Sequence, residues 1–170
     1  MTKQDLNFKP ECIQASWHQD HRGYIYSITG GAHNKTFEAE NKIKLSYNHT
    51  KITASKKNVF RGFHTDKKTW KKCTCISGKI KVIIIDPNNK SFTTHILSGE
   101  NKNLILIPPG WYNGYASLSD NIYLYSLSYE GDYVDANEQS TIKPKYSCYG
   151  LEQIKKDIGG EHVILSDRDS

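Results

Sequence analysis

Short apolar runs separated by turn residues, with no helical segment between them, fill the chain from residue 43 to residue 133. The clearest runs are 79–85, 91–97, 104–107 and 122–129, the last alternating with a period of two. Ser77-Gly78 separates two runs, and Asp86-Pro87-Asn88-Asn89 is a turn with Pro at its first central position. Regular short strands without intervening helices are typical of antiparallel sandwiches and barrels. The pattern therefore predicts an all-β fold.

One helical pattern stands out near the end of the chain. Leu151, Ile154 and Ile158 lie on one face of a helix over 151–158, and Gly159-Gly160 follows as a stop signal. The 170 residues fit one compact domain, and the sequence contains no repeat and no linker. We therefore expect a single domain over residues 1–170 with one short C-terminal helix.

The net charge of +5 is spread over scattered lysines rather than gathered in a basic block. This pattern predicts no nucleic-acid partner and no membrane partner. Only Arg22, Arg61 and Arg168 are arginines. Because the guanidinium fork suits bidentate contact with phosphate, these three side chains are candidates for binding an anionic small molecule.

The N-terminus, Met1-Thr2-Lys3-Gln4-Asp5, lacks an apolar stretch, so we expect no signal or transit peptide and a cytoplasmic protein. The four cysteines, Cys12, Cys73, Cys75 and Cys148, form no CxxC pair. We expect free thiols, with Cys73 and Cys75 pointing the same way from one strand into the core.

Two segments carry candidate chemistry: Asn58-Val59-Phe60-Arg61-Gly62-Phe63-His64 and Leu106-Ile107-Pro108-Pro109-Gly110-Trp111-Tyr112-Asn113-Gly114-Tyr115. The second resembles the downstream cupin signature, with Asn113 where cupins carry a histidine. The first supplies His64-Thr65-Asp66 in place of a His-x-His pair, with no suitable glutamate. One imidazole cannot assemble a catalytic metal site, so we expect no metal and no cofactor.

Taken together and in order, a set of motifs resembles the dTDP-4-dehydrorhamnose 3,5-epimerase family over roughly residues 18–169. The motifs are Arg61-Gly62-Phe63-His64, Lys71, Pro108-Pro109-Gly110, Tyr125 and Leu165-Ser166-Asp167-Arg168-Asp169. The resemblance implies a cupin-type jelly roll and a cofactor-free isomerase. It also implies a homodimer in which N-terminal strands reach the neighbouring subunit. Residues 66–71 and 129–136 look most similar to the capsule-biosynthesis branch acting on GDP-linked 4-keto heptoses.

The expected reaction explains the residue types. A C4 ketone makes the protons at C3 and C5 removable, and inversion needs proton-transfer groups on opposite faces of the carbon. The resemblance assigns the base to His64 with Asp169 as its partner, the acid to Tyr125, and stabilisation of the C4 oxygen to Lys71. It assigns substrate contacts to Arg22, Arg61, Asn113 and Tyr133.

The residues themselves leave two orientations open. Strict alternation would put Arg61 and His64 on opposite faces of a strand, unless Gly62 permits a bulge or the strand ends there. Alternation also does not choose between Lys71 and Lys72, because the neighbouring apolar residues favour both phases. The family resemblance, through the spacing of its motifs, assigns the role to Lys71.

The nucleotide and sugar also stay open. In Asp20-His21-Arg22-Gly23-Tyr24-Ile25-Tyr26-Ser27, Ile25 and Ser27 stand where the family has an aromatic and an acidic residue beside the base. The leading hypothesis is a GDP-4-keto-heptose 3- or 3,5-epimerase, and the first alternative is a dTDP-4-dehydrorhamnose 3,5-epimerase. A non-catalytic sugar-nucleotide-binding cupin and a metal-dependent cupin are further alternatives.

Overall fold

The computed structural model describes residues 8–15, 17–132, 139–160 and 162–170. The strands are β1 Glu11–Gln14, β2 Trp17–Asp20, β3 Gly23–Tyr26, β4 Tyr47–Ser55, β5 Phe60–Thr65, β6 Trp70–Ser77, β7 Lys79–Ile85, β8 Phe92–Ser98, β9 Asn103–Ile107, β10 Tyr112–Ser117, β11 Asn121–Ser128 and β12 Ser140–Thr141. The helices are α1 Gly31–Asn41 and α2 Leu151–Ile158, with a 3-10 turn at Pro144–Tyr146. No helix in these ranges is long and apolar enough to cross a membrane.

Two five-stranded antiparallel sheets form a sandwich. The first has the order β1-β9-β6-β11-β4, and the second has the order β12-β5-β10-β7-β8. β2 and β3 form a separate two-stranded hairpin. The predicted all-β sandwich is confirmed, and β7 and α2 begin and end at the residues that their patterns indicated.

Apolar residues fill the space between the sheets and also cover the outer face of the second sheet. The inner cluster takes Cys73 and Cys75 from β6 together with alternate residues of β7. The other residues of β7, Ile83 and Ile85, pack outward beneath Ile154 of α2. β7 is therefore buried on both faces, which explains its continuous apolar run. All four cysteines are free.

Helix α1 has no counterpart in the sequence-based prediction of a single helix. Its sequence contains one large apolar residue, Phe37, so it shows no apolar stripe of helical period. Phe37 packs against Trp70, with ring centroids 5.7 Å apart, and against Phe8 at 6.4 Å. Tertiary contacts, rather than local pattern, specify this helix.

The N-terminal hairpin docks on its own chain. The Lys102 ammonium lies 4.6 Å from the Trp17 ring centroid and 4.3 Å from that of Tyr24. β1 pairs with β9 of the same chain. The exchange of N-terminal strands in a homodimer, and the single domain over residues 1–170, stay predictions.

A bulge at Gly62 interrupts the alternation of β5. Asn113 of β10 pairs with His64 and Tyr115 pairs with Arg61, so β5 has one extra residue over this stretch. Gly62 has a φ of 130°, and a Cβ there would lie 2.5 Å from the Cα of Gly114. The bulge turns Arg61 and His64 toward the same side of the sheet, which was one of the possibilities left open by the sequence.

Replacing Gly62 with Ala should therefore destabilise the fold by at least about 3 kcal/mol, because it combines backbone strain with a clash against backbone atoms. Urea unfolding measures the loss. The control is Gly159→Ala, at a φ of 73° but with nothing within 4 Å of the new Cβ. It should cost only about 1 to 2 kcal/mol. Equal losses of unfolding free energy in the two variants would contradict the close approach of Gly62 to Gly114.

Candidate active site

A cavity opens between the two sheets, and four polar side chains lie at its centre. His64 and Asn113 come from β5 and β10 of the second sheet, and Lys71 and Tyr125 come from β6 and β11 of the first. On one side the cavity continues past Arg61, Ser166, Arg168 and Asp169. On the other it continues past Thr65, Asp66, Thr69, Trp111 and Gln139. Arg61 and Arg168 both lie on the first of these sides, which we call the arginine half of the cavity.

His64 is hydrogen-bonded to a residue at the far end of the chain. Its Nε2 lies 2.7 Å from Oδ1 of Asp169, which is only 3% exposed. The backbone N–H of Gly62 donates to the other carboxylate oxygen at 3.4 Å. Asp169 therefore contacts β5 both at the bulge and at the imidazole of His64.

The C-terminal segment reaches this position along the outer edge of β5. Ile164 donates its N–H to the carbonyl of Asn58 at 2.9 Å and accepts from the N–H of Phe60 at 3.0 Å. Val163 and Leu165 pack against the cluster beneath α2. The segment is thus held by both backbone hydrogen bonds and apolar contacts before Asp169 enters the cavity.

The Asp169 carboxylate is ionised in the folded protein. Burial by itself raises the pKa of Asp169, but the hydrogen bond and charge interaction with His64, together with the Gly62 N–H, outweigh it and lower the pKa. An ionised carboxylate accepts hydrogen bonds only, so Nε2 of His64 carries the proton. In the neutral imidazole, Nδ1 is then the nitrogen able to accept a proton.

Lys71, not Lys72, borders the cavity. The Lys71 Nζ donates to Oδ1 of Asn113 at 2.7 Å and lies 5.1 Å from the ring centroid of Tyr125. Burial lowers the pKa of Lys71. Lys72 is buried on the other face of β6, where the charges of Glu11 and Glu38 act on it. The choice between the two lysines that alternation left open is thereby answered by geometry.

Both ends of the Asn113 amide contact protein groups. Besides accepting from Lys71, Asn113 donates from Nδ2 to the backbone carbonyl of His64 at 2.9 Å and to that of Trp111 at 3.4 Å. The amide therefore connects the lysine on one sheet to the strand of the other sheet that carries His64.

Tyr125 lines the same cavity as His64 and belongs to the opposite sheet. Tyr123 also borders the cavity, with its ring 5.5 Å from that of Tyr125. Burial, together with the neighbouring Cys73, raises the pKa of Tyr123 well above its ordinary value, and Tyr123 is only 5% exposed. Tyr125 is the more accessible of the two hydroxyl-bearing side chains.

The arginines are divided between the cavity and the surface. Arg61 borders the cavity and donates from Nε to Oγ of Ser55 at 3.0 Å. Arg168 also borders it, at a place where it can act as one of the three arginines predicted to bind an anionic small molecule. Arg22 lies on the exposed β2–β3 turn, outside the cavity lining, and donates to Asp20. Tyr133 lies outside the described residues.

Thr69 is a cavity residue that sequence reasoning missed. It is 7% exposed, and its hydroxyl has no hydrogen-bond partner among the described residues. A buried hydroxyl without a partner is costly, and this hydroxyl oxygen has almost no surface exposed to the cavity. In the described part of the chain, no cluster of three or more His, Cys, Asp or Glu side chains has the arrangement of a metal site.

Comparison with known proteins identifies both fold and family. A family model described as dTDP-4-dehydrorhamnose 3,5-epimerase matches residues 10–170. No match was found among curated proteins.

Three solved structures illustrate the shared fold. The first is a dTDP-6-deoxy-D-glucose-3,5-epimerase from Legionella pneumophila with bound dTDP-4-keto-L-rhamnose, at 24% identity and a TM-score of 0.74 over 94% of this chain and 84% of that chain. An epimerase from Mycobacterium tuberculosis has 22% sequence identity and a TM-score of 0.77, over 94% of this chain and 80% of that chain. A 3'-monoepimerase from Streptomyces bikiniensis with dTDP-quinovose has 18% sequence identity and a TM-score of 0.76, over 94% of this chain and 80% of that chain.

The contact between Asp169 and His64 predicts a pH-dependent stability. Because the pKa of Asp169 is lowered on folding, its carboxylate stabilises the protein above the ordinary aspartate pKa. This contribution is lost as the pH falls through the lowered value. Asp169→Asn should therefore be less stable than the wild type by about 1 to 3 kcal/mol at pH 7, and the difference should shrink as the pH falls through the lowered pKa of Asp169.

Urea unfolding of both proteins across this pH range measures the difference. Asp167→Asn, which changes an exposed carboxylate two residues away, is the matched control and should stay close to the wild type. A difference between the wild type and Asp169→Asn that does not change with pH would contradict the ionised contact.

Proposed function

The chain belongs to the dTDP-4-dehydrorhamnose 3,5-epimerase family, and we propose that it epimerises a dTDP-linked 4-keto sugar with His64 and Tyr125 as its proton-transfer groups. Members of this family are isomerases, so the chain is an epimerase of nucleotide-linked 4-keto sugars. The observation that supports the assigned roles is the placement of His64, held by Asp169, on one sheet and Tyr125 on the facing sheet.

In the proposed reaction, Nδ1 of His64 removes the proton from the carbon next to the C4 ketone. The electron pair moves into the C4 oxygen and forms an enolate, while Asp169 stabilises the imidazolium. The Lys71 ammonium stabilises the negative oxygen by its charge. Tyr125 then donates its hydroxyl proton to the opposite face of the carbon, the ketone reforms, and the configuration is inverted.

The arginine half of the cavity suits the diphosphate. Arg61 and Arg168 both border it, and guanidinium groups form strong bidentate contacts with phosphate oxygens. Arg22 acts in this scheme only if the hairpin of one subunit reaches the site of another. The exposed apolar side chains of that hairpin, Trp17, Tyr24 and Ile25, support such a contact in a homodimer. The contact of Tyr133 with substrate stays a prediction.

For the nucleotide, the family match supports dTDP better than GDP. The GDP-linked 4-keto heptose is the second candidate. Its support is the likeness of the sequence over 66–71 and 129–136 to the GDP-heptose branch, and Ile25, which is 77% exposed, stands where the family carries an aromatic residue beside thymine. A cytoplasmic location, a role in capsule synthesis and the choice between inversion at C3 alone and at C3 and C5 stay predictions.

Solvent exchange tests the proposal. The purified protein is incubated in deuterated water with dTDP- and GDP-linked 4-keto sugars, and deuterium at C3 and C5 is followed by NMR. The wild type should incorporate deuterium at one or both carbons. His64→Asn should be at least about 100-fold slower, because proton transfer by a positioned side chain contributes at least that much.

His95→Asn is the matched control, since His95 lies on β8 outside the cavity lining, and it should exchange at the wild-type rate. Exchange with only the GDP-linked sugar would replace dTDP by GDP in the proposal. Unchanged exchange in His64→Asn would remove His64 as the base, and absence of exchange with both nucleotides would overturn the proposed reaction.

A further inference from the structure

Asn113 occupies a position where its amide serves two protein partners at once. Its oxygen accepts from the Lys71 ammonium at 2.7 Å, and its nitrogen donates to the His64 carbonyl at 2.9 Å. A neutral amide accepts at its oxygen and donates from its nitrogen at the same time, without taking or releasing a proton. The contact spans the two sheets whose side chains form the cavity.

The charge of the residue that accepts from Lys71 matters as much as its position. A carboxylate at position 113 would also accept from Lys71, but it would cancel the positive charge within the pair. The amide oxygen satisfies one N–H of the ammonium and adds no negative charge to the pair. A fixed ammonium in a protein cavity is suited to stabilising a developing oxyanion.

We infer that Asn113 is a positioning residue, which fixes Lys71 against the His64 strand and leaves the lysine charge available to the C4 enolate oxygen. This inference rests on the proposed function and gives Asn113 a different role from the substrate contact expected from the family resemblance. Asn113 acts through Lys71, so its removal matters only while Lys71 is present.

A double-mutant cycle tests this dependence. The variants are Asn113→Ala, Lys71→Met and the two combined, assayed for kcat and KM of epimerisation. Asn113→Ala should lower kcat by about 10- to 100-fold and change KM by less than about 3-fold, because the contact acts in the transition state. In the Lys71→Met background the same substitution should lower kcat by less than about 3-fold.

The charge argument is tested by Asn113→Asp. This variant keeps an acceptor for Lys71 but adds a negative charge and loses the donor to the His64 carbonyl. We expect kcat to fall at least about 10-fold and the alkaline limb of the pH profile to move to higher pH, since a carboxylate favours the charged lysine. Lys51, Asp66, Cys73 and Tyr125 also face the Lys71 ammonium and are unchanged in this variant.

Asn121→Ala controls for the loss of a buried amide. Asn121 is 5% exposed at the start of β11, outside the cavity lining. The kcat of Asn121→Ala should stay within about 2-fold of the wild-type value, while the melting temperature of the variant falls. Additive effects in the cycle, or a raised KM with unchanged kcat in Asn113→Ala, would overturn the positioning role. If the wild type still exchanges deuterium and His64→Asn does not, the proposed function stands even then.

Discussion

The close approach of β5 and β10 at two glycines is the constraint on which the rest of the structure depends. A Cβ at Gly62 would meet Gly114 and the carbonyl of Asn113, and a Cβ at Gly114 would lie 2.8 Å from the carbonyl of Arg61. Because the strands can approach, β5 accommodates one extra residue. Phe60 and Phe63 then pack together in the outer cluster, while His64 faces the cavity.

The bulge also provides the docking point for the C-terminal segment. Asp169 contacts both the Gly62 N–H and His64, 105 residues away from it in the chain. The segment follows α2, which is fixed to the second sheet by the ion pair of Asp157 with Lys81 at 2.7 Å. The outer apolar cluster therefore does more than stabilise the sandwich, because it also positions the carboxylate that is hydrogen-bonded to His64.

How far the sequence predicts this structure depends on whether a feature is local. The strands around β7 and the helix α2 follow from apolar periodicity, and the motif residues His64, Lys71 and Tyr125 lie around one cavity. α1 has no such periodicity and depends on aromatic contacts with distant residues.

Features that depend on long-range packing were left open by the residues themselves or, like Thr69 in the cavity lining, were missed. The bulge results from two strands meeting at glycines. Arg168 and Thr69 reach the cavity because of the course of a loop and of the C-terminal segment. Alternation left Lys71 and Lys72 equally open, and only the family resemblance favoured Lys71 before the faces of β6 were assigned.

The proposed reaction depends on a similar long-range relation, in which His64 and Tyr125 exchange protons with opposite faces of one carbon. The most direct test is isotope exchange in Tyr125→Phe, with label in recovered substrate and in epimer measured separately by NMR in deuterated water. We predict that His64 in this variant still exchanges the substrate proton for solvent deuterium, with the configuration of the substrate retained. Epimer formation should fall at least about 100-fold. Epimer formation at the wild-type rate, or loss of exchange from the substrate as well, would contradict this division of roles.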